Sequence, residues 1–491
     1  MSPDLREKTV TNIAYSAIGK GVSVVASVAT SIVLARYLSA RDFGIYGFAV
    51  IFITFLAQFS DFGLSAAVVQ RKDLSRESLT VAFTIRFLLG VVLCALAFVL
   101  APFVSIVFES HEVVRVVQVL GITFLTGALS FLPQTQLTRG ARFDLLSASQ
   151  SISSIVNAAV AIALAVAGKG YWSIVVAIVA SAMASAVFVN AVHWERPRFH
   201  LKGDDLSELI SFGGKVFLSG LVMFSIFSFD NAVVGAIGGA QALGYYSLAF
   251  SWGSILSGLL QGVVLNVLFP MLSSIQNDRR TIRKIYLELL EYAAFFAVLL
   301  HICLFWGANE FLRVVLGHGS DKWAPALGTF RIMCLYGIIS TILVPVGPVI
   351  VAIGKADVQL KAIASASLIQ TLLLYPVFRF WGIEGVAVLV TASYGTQFLI
   401  YLPAIGAEID VRIVEFVQAV ARPIIAGFVV ISLALVLSDI VPSRMNWATL
   451  VVKVSLCGVS FIILHGLIGK WRLEKGVIAL IMTAAQRRTV R

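Results

Sequence analysis

Apolar runs of about membrane length follow one another along this chain, separated by short polar stretches. A helix needs about 20 mostly apolar residues to cross a bilayer. On that measure the pattern predicts spans at 12–37, 45–66, 79–107, 113–137, 145–167, 171–193, 215–236, 245–269, 286–306, 324–353, 361–380, 382–405, 423–438 and 448–468. The runs are continuous instead of alternating, which argues for α-helices over a β-barrel. The predicted fold is an all-α membrane protein of 14 transmembrane helices.

Composition supports this picture. Of 491 residues, 59% are hydrophobic and 13% charged, about half the charged share of a soluble protein. The four cysteines, Cys94, Cys303, Cys334 and Cys457, are scattered through apolar stretches, where a thiol acts as a small hydrophobe. The net charge of +11 is informative by position. With a cytoplasmic amino terminus, and residues near span ends counted with the segment they adjoin, 25 Lys and Arg residues fall on the inside, 9 on the outside and 3 deeper in spans (Lys20, Arg86 and Lys453). That asymmetry predicts both termini in the cytoplasm and explains the basic charge without nucleic acid. The first span is too long for a removable signal peptide and has no small-residue cleavage site.

Internal repetition gives the next level of organisation. VLARYLSARDFGIYGFA (33–49) and VVGAIGGAQALGYYSLA (233–249) align at an offset of 200, sharing Val33/Val233, Ala40/Ala240, Gly44/Gly244, Tyr46/Tyr246 and Ala49/Ala249. LPQTQLTRG (132–140) and VPVGPVIVAIG (344–354) are a second echo, each a proline-interrupted helix end. Six helices separate the partners, so the halves share one orientation and are predicted to be related by a pseudo-two-fold along the membrane normal. The predicted parts are an N-lobe of helices 1–6 (1–194), a C-lobe of helices 7–12 (195–410), and helices 13–14 with a basic tail (411–491).

Extramembrane stretches are short, and no Walker loop, Cys-x-x-Cys pair or His-Glu-x-x-His motif occurs. No cofactor is expected, so candidate chemistry is sought among polar residues inside spans, where an ionisable group costs roughly 2.5–3.5 kcal/mol and normally faces a partner or water. Asn12, Ser16, Lys20, Ser23, Ser27 and Thr30 form one stripe of the first helix, predicted to line water; snorkelling of Lys20 with packed serines is the alternative. The seventh carries Ser211, Lys215 and Ser219 on one face, then Asp230 and Asn231 towards the outer end, where Asp230 suits either a water-exposed helix-terminal carboxylate or a functional one. Asp61 and Arg86 lie within about two turns of the same surface. They suit either a structural ion pair or an arrangement in which Arg86 faces an anionic ligand and Asp61 tunes it. Lys453 has no evident partner and is expected to snorkel, while His301 and His465 are expected to be hydrogen-bonded helix residues.

SARDFGIYGFA, SDFGLSAAVVQRKDLS, DNAVVGAIGGAQALGYYSLA and DKWAPALGTFRIMCLYG, in this order, resemble the polysaccharide transporter (O-antigen and exopolysaccharide flippase) family of the multidrug, oligosaccharidyl-lipid and polysaccharide exporter superfamily. The resemblance implies an inner-membrane flippase that moves undecaprenyl-pyrophosphate-linked oligosaccharide by alternating access and works alongside polysaccharide polymerase or export machinery. It also implies a cationic cavity, to which Lys20, Arg86 and Lys215 are matched. Without an ATP-binding motif, direction must come from H+ or Na+ exchange or from consumption of product. Asp61, Asp230 and Asn231 are the coupling candidates. A drug/cation antiporter of the same superfamily and a membrane polysaccharide polymerase or ligase are the alternatives. The embedded cations argue against the first and the short outer loops against the second.

Overall fold

The computed structural model describes residues 21–61, 64, 65, 68, 76–140, 142–194, 199, 200, 206–263, 272, 275, 278–436 and 446–469, without the side chains of 76, 206–227, 262, 263 and 356. The regular elements are α1 (Gly21–Tyr37), α2 (Ala40–Asp61), α3 (Arg76–Val107), α4 (Glu112–Arg139), α5 (Phe143–Val166), α6 (Trp172–Val192) and α7 (Leu206–Gly253). They continue with α8 (Ile255–Val263), α9 (Arg279–Trp306), α10 (Leu327–Leu343), α11 (Val346–Ala352), α12 (Ala356–Ile409), α13 (Ile413–Val436) and α14 (Trp447–Gly469). Among the described residues eleven helices are long and apolar enough to cross a membrane, and Gly21–Tyr37 is a shorter apolar helix. Large apolar side chains such as Val99, Phe103, Ile106 and Leu467 are exposed, as a bilayer-facing surface requires.

The observed boundaries shift several predicted ones. The thirteenth helix begins at Ile413, ten residues before the predicted 423, because Pro423 is accommodated inside the helix and the charged residues Glu415 and Arg422 continue it. The second begins at Ala40 instead of 45, where Asp42 accepts from the Ser39 amide at 2.9 Å and closes the turn.

Two very long helices contain breaks. Gly239 (φ 74°) interrupts α7 and Gly382 (φ 58°) interrupts α12; both lie in the left-handed region that glycine alone adopts at little cost. Phe380 and Trp381, just before the second break, are 77% and 68% exposed.

The chain divides between Ser247 and Leu248 into two compact units. In the first, α4 packs against α2, α3 and α6, and small residues let it approach α3 closely. A Cβ on Gly90 would lie 2.9 Å from both the Ala128 Cβ and the Phe124 carbonyl oxygen, and one on Gly121 would lie 2.7 Å from the Ala97 Cβ. Such small-residue contacts are a usual means of helix association in lipid. The two repeat motifs also meet here: a Cβ on Gly44 would collide with the Ala240 carbonyl, and one on Gly244 with the Ala40 carbonyl.

In the second unit α9 packs against α10, α13 and α14. His301 is fully buried, with Nδ1 2.7 Å from the Ala297 carbonyl and Nε2 3.1 Å from that of Gly253. This matches its expected structural role. Lys453 corrects the sequence expectation. It does not snorkel: its ammonium donates to Glu310 Oε1 at 2.6 Å and lies 5.7 Å from the Trp306 ring centre. Glu310 side-chain exposure is only 3%, and among the described residues its buried Oε2 has no hydrogen-bond partner. The partner went unseen because Glu310 lies 143 residues away, in the short helical continuation after Trp306.

Candidate functional site

A cavity of about 410 Å³ opens in the first unit, lined by Asp61, Ser65, Arg86, Gly127, Phe131, Gln134, Thr135 and Thr138. Its floor follows from helix periodicity. Gly127, Phe131, Gln134, Thr135 and Thr138 are spaced by 4, 7, 8 and 11 residues on α4, so they share one face. Phe131 also belongs to a core cluster with Leu64, Val68, Ala82, Phe83 and Leu132, which anchors that face.

Arg86 enters from α3, one turn before Gly90, where the two helices approach closely. Gly127 makes room for it: a Cβ there would lie 3.4 Å from Arg86 Nη2. Nη1 donates to the carbonyl oxygen of Ser60, near the end of α2. Asp61, the last residue of α2, accepts from the Ser65 hydroxyl and, more weakly at 3.3 Å, from the Ser65 amide. Among the described residues Arg86 and Asp61 form no ion pair, although they line one cavity. The structural latch is therefore not formed, and opposite charges remain available within one space.

The threonines contribute acceptors. The Thr135 hydroxyl donates to the Phe131 carbonyl at 2.6 Å and that of Thr138 to the Gln134 carbonyl at 2.8 Å, so each hydroxyl keeps its acceptor capacity. Gln134 is exposed, and among the described residues its amide makes no hydrogen bond. Arg139 donates to the Val68 carbonyl and holds that residue beside α4.

Of the other predicted site residues, only Asp230 and Asn231 have described side chains, and these lie elsewhere. Lys20 is outside the described residues; Lys215 is on α7 with its side chain outside the description. Asp230 is buried at 5% exposure, not presented to water at a helix end. Its Oδ2 accepts from the buried Tyr246 hydroxyl at 2.7 Å, and Oδ1 accepts from the Asn231 amide at 2.8 Å and side-chain nitrogen at 3.1 Å. Neither Asp230 nor Asn231 lines the cavity. Of the first-helix stripe, Ser23 and Thr30 are buried; Ser154 of α5 donates to Ser23 at 2.9 Å, and Thr30 donates to its own backbone at Ala26. Those two positions are packed instead of wet. Among the described residues no three His, Cys, Asp or Glu side chains gather to hold a metal.

The sequence reading missed Ser65, Gln134, Thr135 and Thr138 as cavity residues. The signal is present, since Gly127, Phe131, Gln134 and Thr138 fall on one helical face, but the repeat echo around Pro133 dominates that stretch of sequence.

A chain of many apolar helices with a charged, half-open cavity in one helical unit belongs to the class of multi-pass membrane proteins that handle polar solutes. Comparison with known proteins makes the class specific. Residues 33–327 match the model of the polysaccharide biosynthesis protein family, and the chain belongs to that family. It is 24% identical over 402 residues to the lipopolysaccharide biosynthesis protein WzxC of Escherichia coli K12, covering 79% of this chain and 78% of that one. It is 25% identical over 280 residues to the succinoglycan biosynthesis transport protein ExoT of Rhizobium meliloti, covering 57% of each. Its fold is similar to that of the lipid II flippase MurJ in an inward closed conformation, with a TM-score of 0.72, 16% identity and coverage of 94% and 99%. The resemblance drawn from the four sequence motifs is borne out.

Proposed function

We propose that this protein is a flippase, not an enzyme, that carries lipid-linked oligosaccharide across the bacterial inner membrane for surface polysaccharide synthesis. The observation that carries the reading is Arg86: a guanidinium on a membrane helix, aimed into a cavity without an ion-pair partner among the described residues. A half-buried guanidinium held, among the described residues, only by a backbone carbonyl, with the one carboxylate in its cavity beyond ion-pair distance, is incompletely compensated and favours a visiting anion. The pyrophosphate linking lipid to sugar is such an anion, and hydroxyl and amide groups suited to sugar line the same space. The family match and the transport role in the name of ExoT support the same conclusion. A cation-exporting antiporter is the weaker reading, because Arg86 would repel its cargo.

The proposed architecture has fourteen crossings. Straight helices of 48 and 54 residues would run about 72 and 81 Å, far beyond a hydrocarbon core of about 30 Å. Breaking each at its left-handed glycine, and counting Gly21–Tyr37, raises eleven candidate spans to fourteen. The proposed lobes are residues 1–194 and 195–410, with 411–491 appended; the reciprocal contact of Ala40 and Gly44 with Ala240 and Gly244 supports the 200-residue repeat. Both termini are proposed to be cytoplasmic, a reading that the distribution of Lys and Arg supports. Lys20 and Lys215 are proposed to add positive charge to the substrate path. Net transport would be driven by exchange of H+ or Na+ at Asp61 or at Asp230 with Asn231, or by a polymerase consuming the product.

Arg86→Gln keeps a hydrogen-bonding side chain but removes the charge. It is expected to lower flipping of a fluorescent lipid-linked oligosaccharide in proteoliposomes by about tenfold or more, the scale of a lost charge-assisted hydrogen bond. Lys at the same position should retain part of the activity. Undiminished flipping by the Gln variant, inserted at normal yield, would remove this cavity from the transport path.

A further inference from the structure

We propose that Asp61 is a specificity-determining residue that accepts hydrogen bonds from the sugar adjoining the pyrophosphate, so that the cavity distinguishes a glycosylated carrier from a bare lipid pyrophosphate. The inference rests on the flippase reading and assigns the two charges of the cavity to two parts of one substrate.

The geometry shows a division of labour. Arg86 and Asp61 line the same cavity without pairing directly; Arg86 spends Nη1 on the Ser60 carbonyl, and Asp61 is held by Ser65. Ser65 approaches Asp61 Oδ2 only through its amide at 3.3 Å, so that oxygen keeps lone pairs for a ligand. A carboxylate beside the intended site of an anion repels the anion. A cavity built for phosphate alone would have no use for Asp61, whereas hydroxyl groups are hydrogen-bond donors that a carboxylate accepts well. The remaining lining fits the same ligand: the Gln134 amide can donate and accept, the hydroxyls of Thr135 and Thr138 offer acceptors, and Phe131 offers an apolar surface. The cavity volume of about 410 Å³ falls within the range of about 300–1,000 Å³ for small-molecule sites. It suits a pyrophosphate with its first sugar and leaves the rest of the glycan outside. Discrimination by such a group is effective because a substrate lacking the sugar leaves Asp61 desolvated beside a second negative charge. Ion exchange, in this assignment, falls to Asp230.

The test uses the purified full-length protein in detergent and two probes, farnesyl pyrophosphate and the same molecule carrying one hexose on its terminal phosphate, with binding measured by calorimetry. The native protein is expected to prefer the glycosylated probe. Asp61→Asn, which preserves size and the bond from Ser65, should weaken binding of that probe by about tenfold and leave the bare pyrophosphate unchanged or tighter. Ser65→Ala, which frees the carboxylate to swing, should shift the preference in the same direction by a smaller factor. Equal effects of Asp61→Asn on both probes, or none on either, would overturn the sugar assignment while leaving the flippase reading intact. If Arg86→Gln failed to weaken either probe, the failure would lie with the flippase reading of the cavity itself.

Discussion

Exchanging Lys453 for methionine is expected to destabilise the second unit by about 3–5 kcal/mol, the usual cost of stranding one member of a buried ion pair. Glu310, 3% exposed and with Oε2 already unpartnered, would lose the ammonium at 2.6 Å that compensates its charge. The contact joins α14 to the short helical continuation after α9, so the loss should appear as a lower unfolding midpoint in detergent and as easier proteolysis next to Trp447. The double variant Glu310→Leu with Lys453→Met should recover most of the stability, because two apolar side chains need no mutual neutralisation. A Lys453→Met protein as heat-resistant as the native one would show that the pair contributes nothing to holding α14.

Replacing Gly44 with valine should be comparably damaging for a steric reason. Its Cβ would occupy the position of the Ala240 carbonyl oxygen, which belongs to backbone and cannot rotate away. Separation of the helices is expected to cost about 1–3 kcal/mol or more, as overpacking generally does, and to reduce both folded yield and flipping. Gly244→Val should behave alike, since it meets the Ala40 carbonyl in the same way. Gly395→Ala serves as a control because nothing lies within 4 Å of its added methyl. Size-exclusion profiles of the variants fused to a fluorescent protein would reveal the contrast. Equal profiles for Gly44→Val and Gly395→Ala would contradict the close approach.

The sequence made the helical class plain, because the bilayer imposes a long and simple hydrophobic period. It also pointed to Asp61 and Arg86, since charge in such runs is rare enough to stand out. What it could not convey was distance across the fold. Lys453 looked solitary because its partner lay in a short segment assigned to the outside. Asp230 looked solvent-facing because Tyr246, which donates to it, lies 16 residues away, beyond a break. Gln134 and Thr138 are uncharged, so only the helical face they share with Gly127 and Phe131 marks them as cavity lining. The breaks themselves rest on a backbone angle at Gly239 and Gly382, whereas many of the 38 glycines sit within ordinary helix.

The exposed ring pair before the second break has a practical consequence. Indole prefers the zone where acyl chains meet headgroups, so Trp381 acts as a depth gauge beside Gly382. Its emission should be quenched most by lipids brominated near the glycerol end and least by those brominated near the chain terminus. A membrane a few ångströms thinner would draw that ring out of its preferred layer and load the mismatch onto the bend at Gly382.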